Sequence, residues 1–446
     1  MSRPCRVAGI GITVIVAWAS GASAGHASNP FRKGPYLQHV RQRGITIQWQ
    51  AESPLPATVS LPDATPPRTV TLEPAEIGTV TIDGLKPGHR YRYAVTIAGH
   101  RATGELTTAP MAGAPFSFVV FGDSRANAVT HRAVVERIRA EVPDFVLETG
   151  DMVDDGLSER SWQQFFDVEH DLMRDTVVFP AIGNHDRQGP HRSVDNFRRY
   201  FSVPDSAPDG ERYYSFSYGN SRFIVLDSNV YSFALTDQTA WLGSELAAAR
   251  VDSTVEHVFV VMHHPPFSVS LHGGNEALRQ VWTPLFARYR VDAVFSGHDH
   301  VYSRASHDGV RYFVSGGAGA SLYPRARRPS SIDREATRYF ERVNHYLRVY
   351  VVGGFVEVTA VRVDGSVIET MSWGTRPHGQ STRAALVADM AALARGHRES
   401  TGEAVTGEGP AVIDVPAGGE RFGWLLPGAL LAIVAAGLVL VWSLRR

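Results

Sequence analysis

The chain has almost no cysteine and very little lysine. Its 446 residues include one cysteine, Cys5, and the only lysines are Lys33 and Lys86, so nearly all basic residues are arginine. Cys5 lies in a segment that we expect to be removed, and a chain without thiols has no thiolate metal ligand, cysteine nucleophile or disulfide. Acidic and basic residues nearly balance, with a net charge of −1. The sequence also lacks the basic stripe typical of nucleic-acid binders, so no nucleic-acid partner is expected.

The first 24 residues have the pattern of a secretory signal peptide. Arg3 and Arg6 precede an apolar run, and Ala22-Ser23-Ala24 matches a small-residue cleavage site. The alternative is a membrane anchor that is not cleaved.

Residues 422–444 are apolar over roughly the twenty residues that a membrane-spanning helix needs. Trp424 and Trp442 lie near its ends, and Arg445 and Arg446 follow, which predicts a cytoplasmic tail. We therefore expect an exported protein on the extracytoplasmic face of the cytoplasmic membrane, held by a single C-terminal transmembrane helix. The alternative is a sorting signal whose hydrophobic tail is removed. Residues 374–420, rich in small and charged residues, are predicted to be a flexible linker.

Two stretches of different periodicity lie between these termini. Residues 31–109 contain short segments of alternating hydrophobicity separated by proline-rich turns, which predicts a small all-β sandwich. From residue 115 to residue 373, apolar strands alternate with helical stretches, which predicts a layered α+β domain. The first stretch contains no cluster of reactive side chains, so we interpret it as a packing or positioning module.

Polar side chains follow five apolar runs of the second stretch, at the point where each run ends. A single cluster of this kind is an ordinary turn or cap, but turns do not account for five in succession. Ligand sites of such sheets gather at the carboxyl ends of strands. Carboxylate, amide and imidazole groups bind zinc, iron or manganese, and two such ions can hold a hydroxide nucleophile and clamp a phosphate. The clusters are Gly-Asp123-Ser-Arg, Gly-Asp151-Met-Val-Asp154, Gly-Asn184-His185-Asp186, His263-His264-Pro and Gly-His298-Asp-His300.

The order of these clusters resembles that of the calcineurin-like metallophosphoesterases, over about residues 116–371. The resemblance implies a four-layer α/β/β/α sandwich with two metal ions, iron, zinc or manganese. The segment Gly34-Pro35-Tyr36-Leu37-Gln38 resembles the fibronectin type III-like domain that precedes the catalytic domain in purple acid phosphatases. The implied ligands are Asp123 and His300 on the first metal, Asp151 as the bridge, and Asn184, His263 and His298 on the second metal.

Two positions depart from the family pattern. Arg125 stands where many members have a histidine, and Asp154 stands where purple acid phosphatases have a tyrosine ligand. The first metal is therefore left with Asp123, Asp151 and His300, and a tyrosinate-coloured iron site is not expected.

Four further side chains are predicted to take part in catalysis or in substrate binding. We expect Asp154 to orient His185, which would donate a proton to the leaving alcohol; the alternative is that Asp154 caps a turn. His264 is predicted to contact phosphate, or else is a structural histidine. Arg125 is predicted to neutralise a phosphate oxygen, or else is a surface or paired arginine.

The resulting hypothesis is an exported, membrane-anchored phosphohydrolase. It would hydrolyse phosphomonoesters with a metal-bound hydroxide, in the manner of an acid phosphatase. One alternative is a phosphodiesterase acting on nucleotides or lipid head groups. The other is a non-catalytic surface binding protein with a vestigial metal cluster.

Overall fold

The computed structural model describes residues 29–187, 193–204, 206, 211–229 and 235–375. The N-terminal part is a five-stranded sheet whose strands are all antiparallel, and it confirms the predicted all-β region. Trp49, Val59 and Tyr93 are buried in its core. Its strands are β1 (Phe31–Arg41), β2 (Gly44–Leu61), β3 (Arg68–Asp83), β4 (Arg90–Ile97) and β5 (His100–Thr107).

The longest strand of this sheet, β2, takes part in two sets of pairings. Its first half lies between β1 and β3, and its second half lies between β3 and β4. Register shifts between Gln50 and Ala57 separate the two halves. Side chains of β1 and of the first half of β2 contact residues of the α+β region.

A six-stranded mixed sheet forms one layer of the α+β region and combines its first three strands with its last three. The strands are β6 (Phe116–Phe121), β7 (Phe145–Glu148), β8 (Val177–Pro180), β16 (His345–Val352), β17 (Phe355–Arg362) and β18 (Val367–Trp373). Their order is β18-β17-β16-β6-β7-β8, and the pairs β6–β7 and β7–β8 are parallel.

A seven-stranded mixed sheet forms the other sheet layer of the α+β region. The strands are β9 (Tyr214–Tyr218), β10 (Ser221–Leu226), β11 (His257–Met262), β12 (Ala293–Ser296), β13 (Tyr302–His307), β14 (Val310–Ser315) and β15 (Thr337–Glu341). Their order is β15-β13-β14-β12-β11-β10-β9, and the neighbours β10, β11, β12 and β14 are parallel along this path.

The two sheets pack face to face through phenylalanine rings. The ring of Phe118 on β6 lies 5.2 Å from that of Phe223, 5.6 Å from that of Phe259 and 6.0 Å from that of Phe295. A second buried cluster joins the seven-stranded sheet to helices that carry Leu242, Leu278 and Phe286. The helices are α1 (Ala128–Glu141), α2 (Glu159–Asp175), α3 (Asp195–Tyr200), α4 (Leu235–Val251), α5 (Glu276–Val281), α6 (Thr283–Arg288) and α7 (Ser331–Ala336).

These layers confirm the expected four-layer sandwich behind an all-β region. Two of the helices also fix the loops that will matter for function. The Asn127 side chain accepts hydrogen bonds from the first amides of α1, and the Ser158 hydroxyl does the same for α2. Both caps lie a few residues after a predicted metal ligand, so they hold the loops after β6 and β7 in place.

The predicted membrane-anchored location is contradicted. Within the described residues no helix is long and apolar enough to cross a membrane. The longest, α2 and α4, have 17 residues each, fewer than the roughly twenty that a span needs, and both carry charged side chains. The segments behind the prediction, residues 1–24 and 422–444, lie outside the described residues, as does the predicted linker beyond residue 375.

Candidate metal centre

Five strand ends deliver the predicted ligands to one edge of the paired sheets. The six-stranded sheet contributes three loops and the seven-stranded sheet contributes two, so the site lies where the two sheets meet. Each candidate ligand lies within four residues of the end of its strand: Asp123 after β6, Asp151 after β7, Asn184 after β8, His263 after β11, and His298 and His300 after β12.

The backbone at this edge is strained and crowded. Asp123, Asp151 and His298 have φ values of 56°, 58° and 67°, in the left-handed region that non-glycine residues rarely adopt. Such residues cost about 1–3 kcal/mol each and gather at functional sites. A Cβ on Gly183 would lie 2.1 Å from Oδ1 of Asp151, and one on Gly297 would lie 2.4 Å from Oδ2 of Asp123. Only glycine allows these loops to approach so closely.

Asn184, His263 and His298 meet on what we call the His263 side of the site. Nε2 of His263 lies 3.1 Å from Oδ1 of Asn184, 3.3 Å from Oδ1 of Asp151 and 3.3 Å from Nδ1 of His298. Nδ1 of His263 donates to the carbonyl oxygen of Thr149 at 2.9 Å. This bond fixes the tautomer, so Nε2 presents a lone pair to the other acceptors.

Asp123 and His300 form the opposite part, the Asp123 side. Nε2 of His300 lies 3.4 Å from Oδ1 of Asp123, while Nδ1 donates to the carbonyl oxygen of Ser321 at 2.7 Å. Oδ2 of Asp123 accepts the backbone N–H of His298 at 2.8 Å. Oδ1 of Asp123 is buried and accepts no hydrogen bond from the described residues.

Both sides therefore present lone pairs that lack hydrogen-bond donors. A buried acceptor without a partner is unfavourable, and a cation placed among such acceptors removes the cost. Ligand atoms of Asp123, Asp151 and His263 lie within 4.8 Å of one another, as do those of His263, His264 and His298. Carboxylate, amide and imidazole donors in this arrangement fit zinc, iron or manganese.

The protonation states of two imidazoles on the His263 side favour cation binding. Burial lowers the pKa of His264 to about 3 and also lowers the pKa of His298, which is surrounded by other imidazoles. Both rings are thus neutral near pH 7, the form that binds metal. Burial alone would raise the pKa of Asp151, but the neighbouring His263 and His185 hold it below its usual value.

The predicted proton donor, His185, is half-buried at the rim. Its Nδ1 lies 2.8 Å from the backbone carbonyl oxygen of Asp154, and its Nε2 lies 4.0 Å from Oδ2 of Asp151. The carboxylate of Asp154 instead pairs with a guanidinium nitrogen of Arg125 at 3.2 Å. Asp154 thus contacts His185 through its main chain, whereas the sequence led us to expect its side chain.

The predicted substrate contacts are both close to the ligands. Nε of Arg125 lies 3.3 Å from Oδ2 of Asp151, and the side chain is 14% exposed. Burial alone would lower the pKa of Arg125, but the carboxylates of Asp151 and Asp123 raise it above its usual value. The ring of His264 lies 4.3 Å from that of His298, and its Nδ1 lies 3.0 Å from the Ser228 hydroxyl.

Asp186 is the supporting residue that the sequence reasoning missed most clearly. Its Oδ2 accepts the amides of Asp151 and Gly183 at 2.9 and 2.7 Å. Its Oδ1 accepts the amides of Met152 and Val153 at 2.9 and 3.3 Å. One buried carboxylate therefore ties the Asp151 loop to the Asn184 loop. Its place within the Gly-Asn-His-Asp cluster was the available signal.

Three other side chains at the site were also missed. Asp299 is buried and lies between His298 and His300 in the sequence. Its carboxylate accepts hydrogen bonds from the Ser268 hydroxyl and from the amide of His272. The ring of His272 lies 4.6 Å from that of His298, and Tyr323 stacks on His300 at 4.0 Å. A cavity of about 490 Å³ adjoins the His263 side, lined in part by His264 and His272. Asp299 had a signal in its position, but Tyr323 and His272 had none.

Comparison with known families identifies the α+β region. Residues 116–302 match the calcineurin-like phosphoesterase family. The chain carries a calcineurin-like phosphoesterase domain. The predicted family is thus confirmed for this region of the chain. Residues 28–113 match a domain of unknown function, DUF7800, so the likeness to fibronectin type III stays a prediction.

Relatives of this phosphoesterase domain include purple acid phosphatases. An uncharacterised protein of Mycobacterium tuberculosis is 31% identical over 265 residues, which is 50% of each chain. Purple acid phosphatase 23 of Arabidopsis thaliana is 29% identical over 263 residues, 50% of this chain and 57% of that protein. The chain thus spans about half the length of these relatives.

A solved structure shares the fold of this phosphoesterase. The purple acid phosphatase PPD1 from yellow lupin superposes with a TM-score of 0.65 at 18% identity, over 77% of this chain and 75% of that one. The likeness shows the fold, and the side chains described above are the candidate metal ligands within it.

Proposed function

We propose that this chain is a phosphatase that hydrolyses phosphomonoesters at a dinuclear metal centre. The observation that supports this most is the meeting of acceptor lone pairs from five strand ends at one point, on a phosphoesterase domain. The relatives named as purple acid phosphatases favour a monoester substrate.

The ligand assignment follows from which side of the site each residue occupies. Asp123 and His300 would hold the first ion, Asp151 would bridge, and Asn184, His263 and His298 would hold the second. When bound, the two ions, iron, zinc or manganese, supply the positive charge that polarises the phosphate and makes water a nucleophile near neutral pH.

His185 is the proposed proton donor to the leaving alcohol. The carbonyl oxygen of Asp154 accepts the Nδ1 proton, so Nε2 is the nitrogen that exchanges a proton with the substrate. His185 lies at the half-buried rim, 4.0 Å from Oδ2 of the bridging carboxylate, where a departing alcohol can reach it. A positioned acid of this kind contributes about 10²–10⁴-fold to rate.

Arg125 and His264 are the proposed substrate contacts. The guanidinium group of Arg125 donates to two carboxylates, those of Asp151 and Asp154. A phosphate dianion would compete with Asp154 for this group. The Asp154 carboxylate therefore holds Arg125 ready in the free enzyme. His264 adjoins both the His263 side and the cavity, so it can meet a phosphate oxygen from the opposite direction.

The test combines metal analysis with two substrates. Protein purified without chelator is analysed for iron, zinc and manganese, and 4-nitrophenyl phosphate is compared with bis(4-nitrophenyl) phosphate from pH 4 to pH 9. We expect two metal ions per chain and a higher kcat/KM for the monoester. A higher kcat/KM for the diester would favour the phosphodiesterase alternative. Two bound ions with neither substrate hydrolysed would favour the non-catalytic alternative.

A matched pair of variants links activity to the site. Asn184→Ala removes one ligand of the His263 side, whereas Asn220→Ala changes an asparagine whose side chain bonds to Glu256 and the carbonyl oxygen of Gly353. Only the first should lower both the metal content and the activity.

A further inference from the structure

The N-terminal sheet contacts the short helix α3 through hydrogen bonds to its backbone. The Tyr36 hydroxyl donates to the carbonyl oxygen of Tyr200 at 3.0 Å, and Nε2 of Gln48 donates to that of Arg199 at 3.0 Å. Oε1 of Gln38 accepts the amide of Ser202, also at 3.0 Å. The last carbonyl groups of a helix have no partner within the helix, so side chains of β1 and β2 complete the end of α3.

Lys33, on β1, anchors the same contact. Its fully buried Nζ lies 2.5 Å from Oε1 of Gln50 and 2.6 Å from Oε1 of Glu159, the first residue of α2. The ammonium group also lies 4.6 Å from the ring centre of Tyr200, whose hydroxyl donates to Glu159. A buried charge is tolerated only when it is paired in this way, so Lys33 fixes the N-terminal sheet against α2 and α3 together.

Hydrogen bonds continue from α3 to the rim of the metal centre. Nδ2 of Asn196, on α3, donates to the carbonyl oxygen of Gly156 at 2.8 Å, and the indole N–H of Trp162, on α2, donates to it at 3.0 Å. The amide of Gly156 donates to the carbonyl oxygen of His185 at 2.8 Å. A Cβ on Gly156 would lie 2.3 Å from the carbonyl oxygen of Asp186, so the two loops touch.

We propose that the N-terminal domain positions His185, with Tyr36 and Gln48 as the positioning residues. The chain of contacts runs from these side chains to the end of α3, through Asn196 to Gly156, and on to the main chain of His185. The proposal rests on the function proposed above, in which His185 protonates the leaving alcohol. The N-terminal domain is then part of the catalytic apparatus although none of its side chains reaches the metal ligands.

The experiment separates positioning of the acid from simple stabilisation. Tyr36→Phe removes one hydroxyl that donates to α3. Tyr93→Phe is the matched control, because the Tyr93 hydroxyl also donates to a backbone carbonyl across the same two regions, that of Arg174 near the end of α2, at 2.8 Å. The full chain with its metals is assayed on 4-nitrophenyl phosphate, whose leaving group departs without a proton, and on glycerol 2-phosphate, whose leaving group needs one.

We expect Tyr36→Phe to lower kcat on glycerol 2-phosphate about tenfold, within the range of a general acid, and to change kcat on 4-nitrophenyl phosphate less than about twofold. Metal content should equal that of the wild type. Tyr93→Phe should leave the ratio of the two rates unchanged. Gln48→Leu, which removes the second contact, should repeat the selective loss and serves where Tyr36→Phe does not fold.

Three results would overturn the proposal. One is an equal loss on both substrates in Tyr36→Phe and Gln48→Leu, which indicates general destabilisation. Another is the same substrate ratio in the Tyr36 and Tyr93 variants. The third is a His185→Ala variant whose loss is the same on both substrates, because His185 would then not be the acid. In that case the wild-type activity on 4-nitrophenyl phosphate would still support the phosphatase function.

Discussion

The two sides of the metal centre differ in how much of the site the chain itself supplies. On the His263 side, Nε2 of His263 lies within 3.3 Å of the Asn184 amide oxygen, of Nδ1 of His298 and of one Asp151 carboxylate oxygen. On the Asp123 side, one carboxylate oxygen and one imidazole face each other at 3.4 Å. More candidate ligands therefore meet on the His263 side than on the Asp123 side.

Charge differs between the two sides in the same sense. The His263 side is lined by imidazoles that burial keeps neutral, so a metal ion there would meet little positive charge. On the Asp123 side, Arg125 acts on the carboxylate of Asp123 as well as on that of Asp151, which both sides share. A fixed cation that acts on the Asp123 carboxylate weakens the attraction of this side for a metal ion. We therefore expect the ion on the Asp123 side to be the more weakly held.

The largest expected effect comes from the residue that both sides share. Asp151→Asn removes the bridging charge, so the two ions would repel each other without screening. We expect the variant to lose at least one metal equivalent and at least about 10³-fold in kcat/KM, more than the 10–100-fold typical of residues that only support ligands. Metal analysis and a monoester assay measure this, with circular dichroism as the check on folding. If the variant kept two metal ions, Asp151 would not be the bridging ligand.

Graded removal of metal tests the difference between the sides directly. As chelator is raised against the wild-type holoenzyme, we expect one equivalent to leave at a concentration about tenfold lower than the other, because the Asp123 side has fewer protein ligands. His300→Ala should abolish binding of the weak equivalent and keep the tight one. His263→Ala should instead weaken the binding of the tightly held equivalent. Release of both ions in a single step would show that the sides are equivalent.

Asp186→Asn should weaken the His263 side through the loops that carry its ligands. Each carboxylate oxygen accepts two backbone amides, so an asparagine would direct its NH₂ group at two N–H donors. We expect about a 10–100-fold loss of metal affinity, as for other residues that orient ligands. Asp299→Asn, with its contacts to Ser268 and His272, is the comparison variant. An unchanged metal affinity in Asp186→Asn would mean that the loops hold their shape without this carboxylate.

The convergence of the candidate ligands could be predicted because their signals are local. An apolar run, a glycine and a polar residue such as Asp123 or His298 are adjacent in sequence, and strand ends of such sheets gather at one edge. The pairing of Arg125 with Asp154 could not be predicted, because it depends on how two loops face each other in three dimensions. For the same reason the sequence indicated a carboxylate beside His185 where the structure has a carbonyl oxygen.

The contact between the N-terminal sheet and α3 could not be predicted from the sequence either. Tyr36 and Tyr200 are separated by 164 positions, and Tyr36 reads as an ordinary core residue of a β-sandwich. Lys33 was visible only as one of two lysines. Burial of polar side chains between two regions depends on how their surfaces pack, and that information is not carried by local periodicity.

The smallest expected effect is a pH dependence of the unfolding free energy, which originates at a buried histidine near the Asp123 side. Burial lowers the pKa of His345 to about 4, and this ring lies against the glycine-rich segment after β14, in which the amide of Ala320 donates to the carbonyl oxygen of Asp123. Since the unfolded chain binds a proton near pH 6.5, the stability that the neutral ring contributes is complete above that pH. It is lost progressively as the pH falls to about 4, by roughly 3 kcal/mol in the unfolding free energy.

Denaturant unfolding of the metal-free protein at pH 4.5 and pH 7 measures this contribution of His345. His345→Gln, which does not titrate, should lose less stability between the two pH values than the wild type, although it starts from a lower value at pH 7. His39→Gln should give a similar reduction of the acid-induced loss from the N-terminal sheet, because burial also lowers the pKa of His39 to about 4. If His345→Gln kept the full acid-induced loss, the acid sensitivity would not originate beneath the Asp123 side, and the two sides would differ in metal ligands alone.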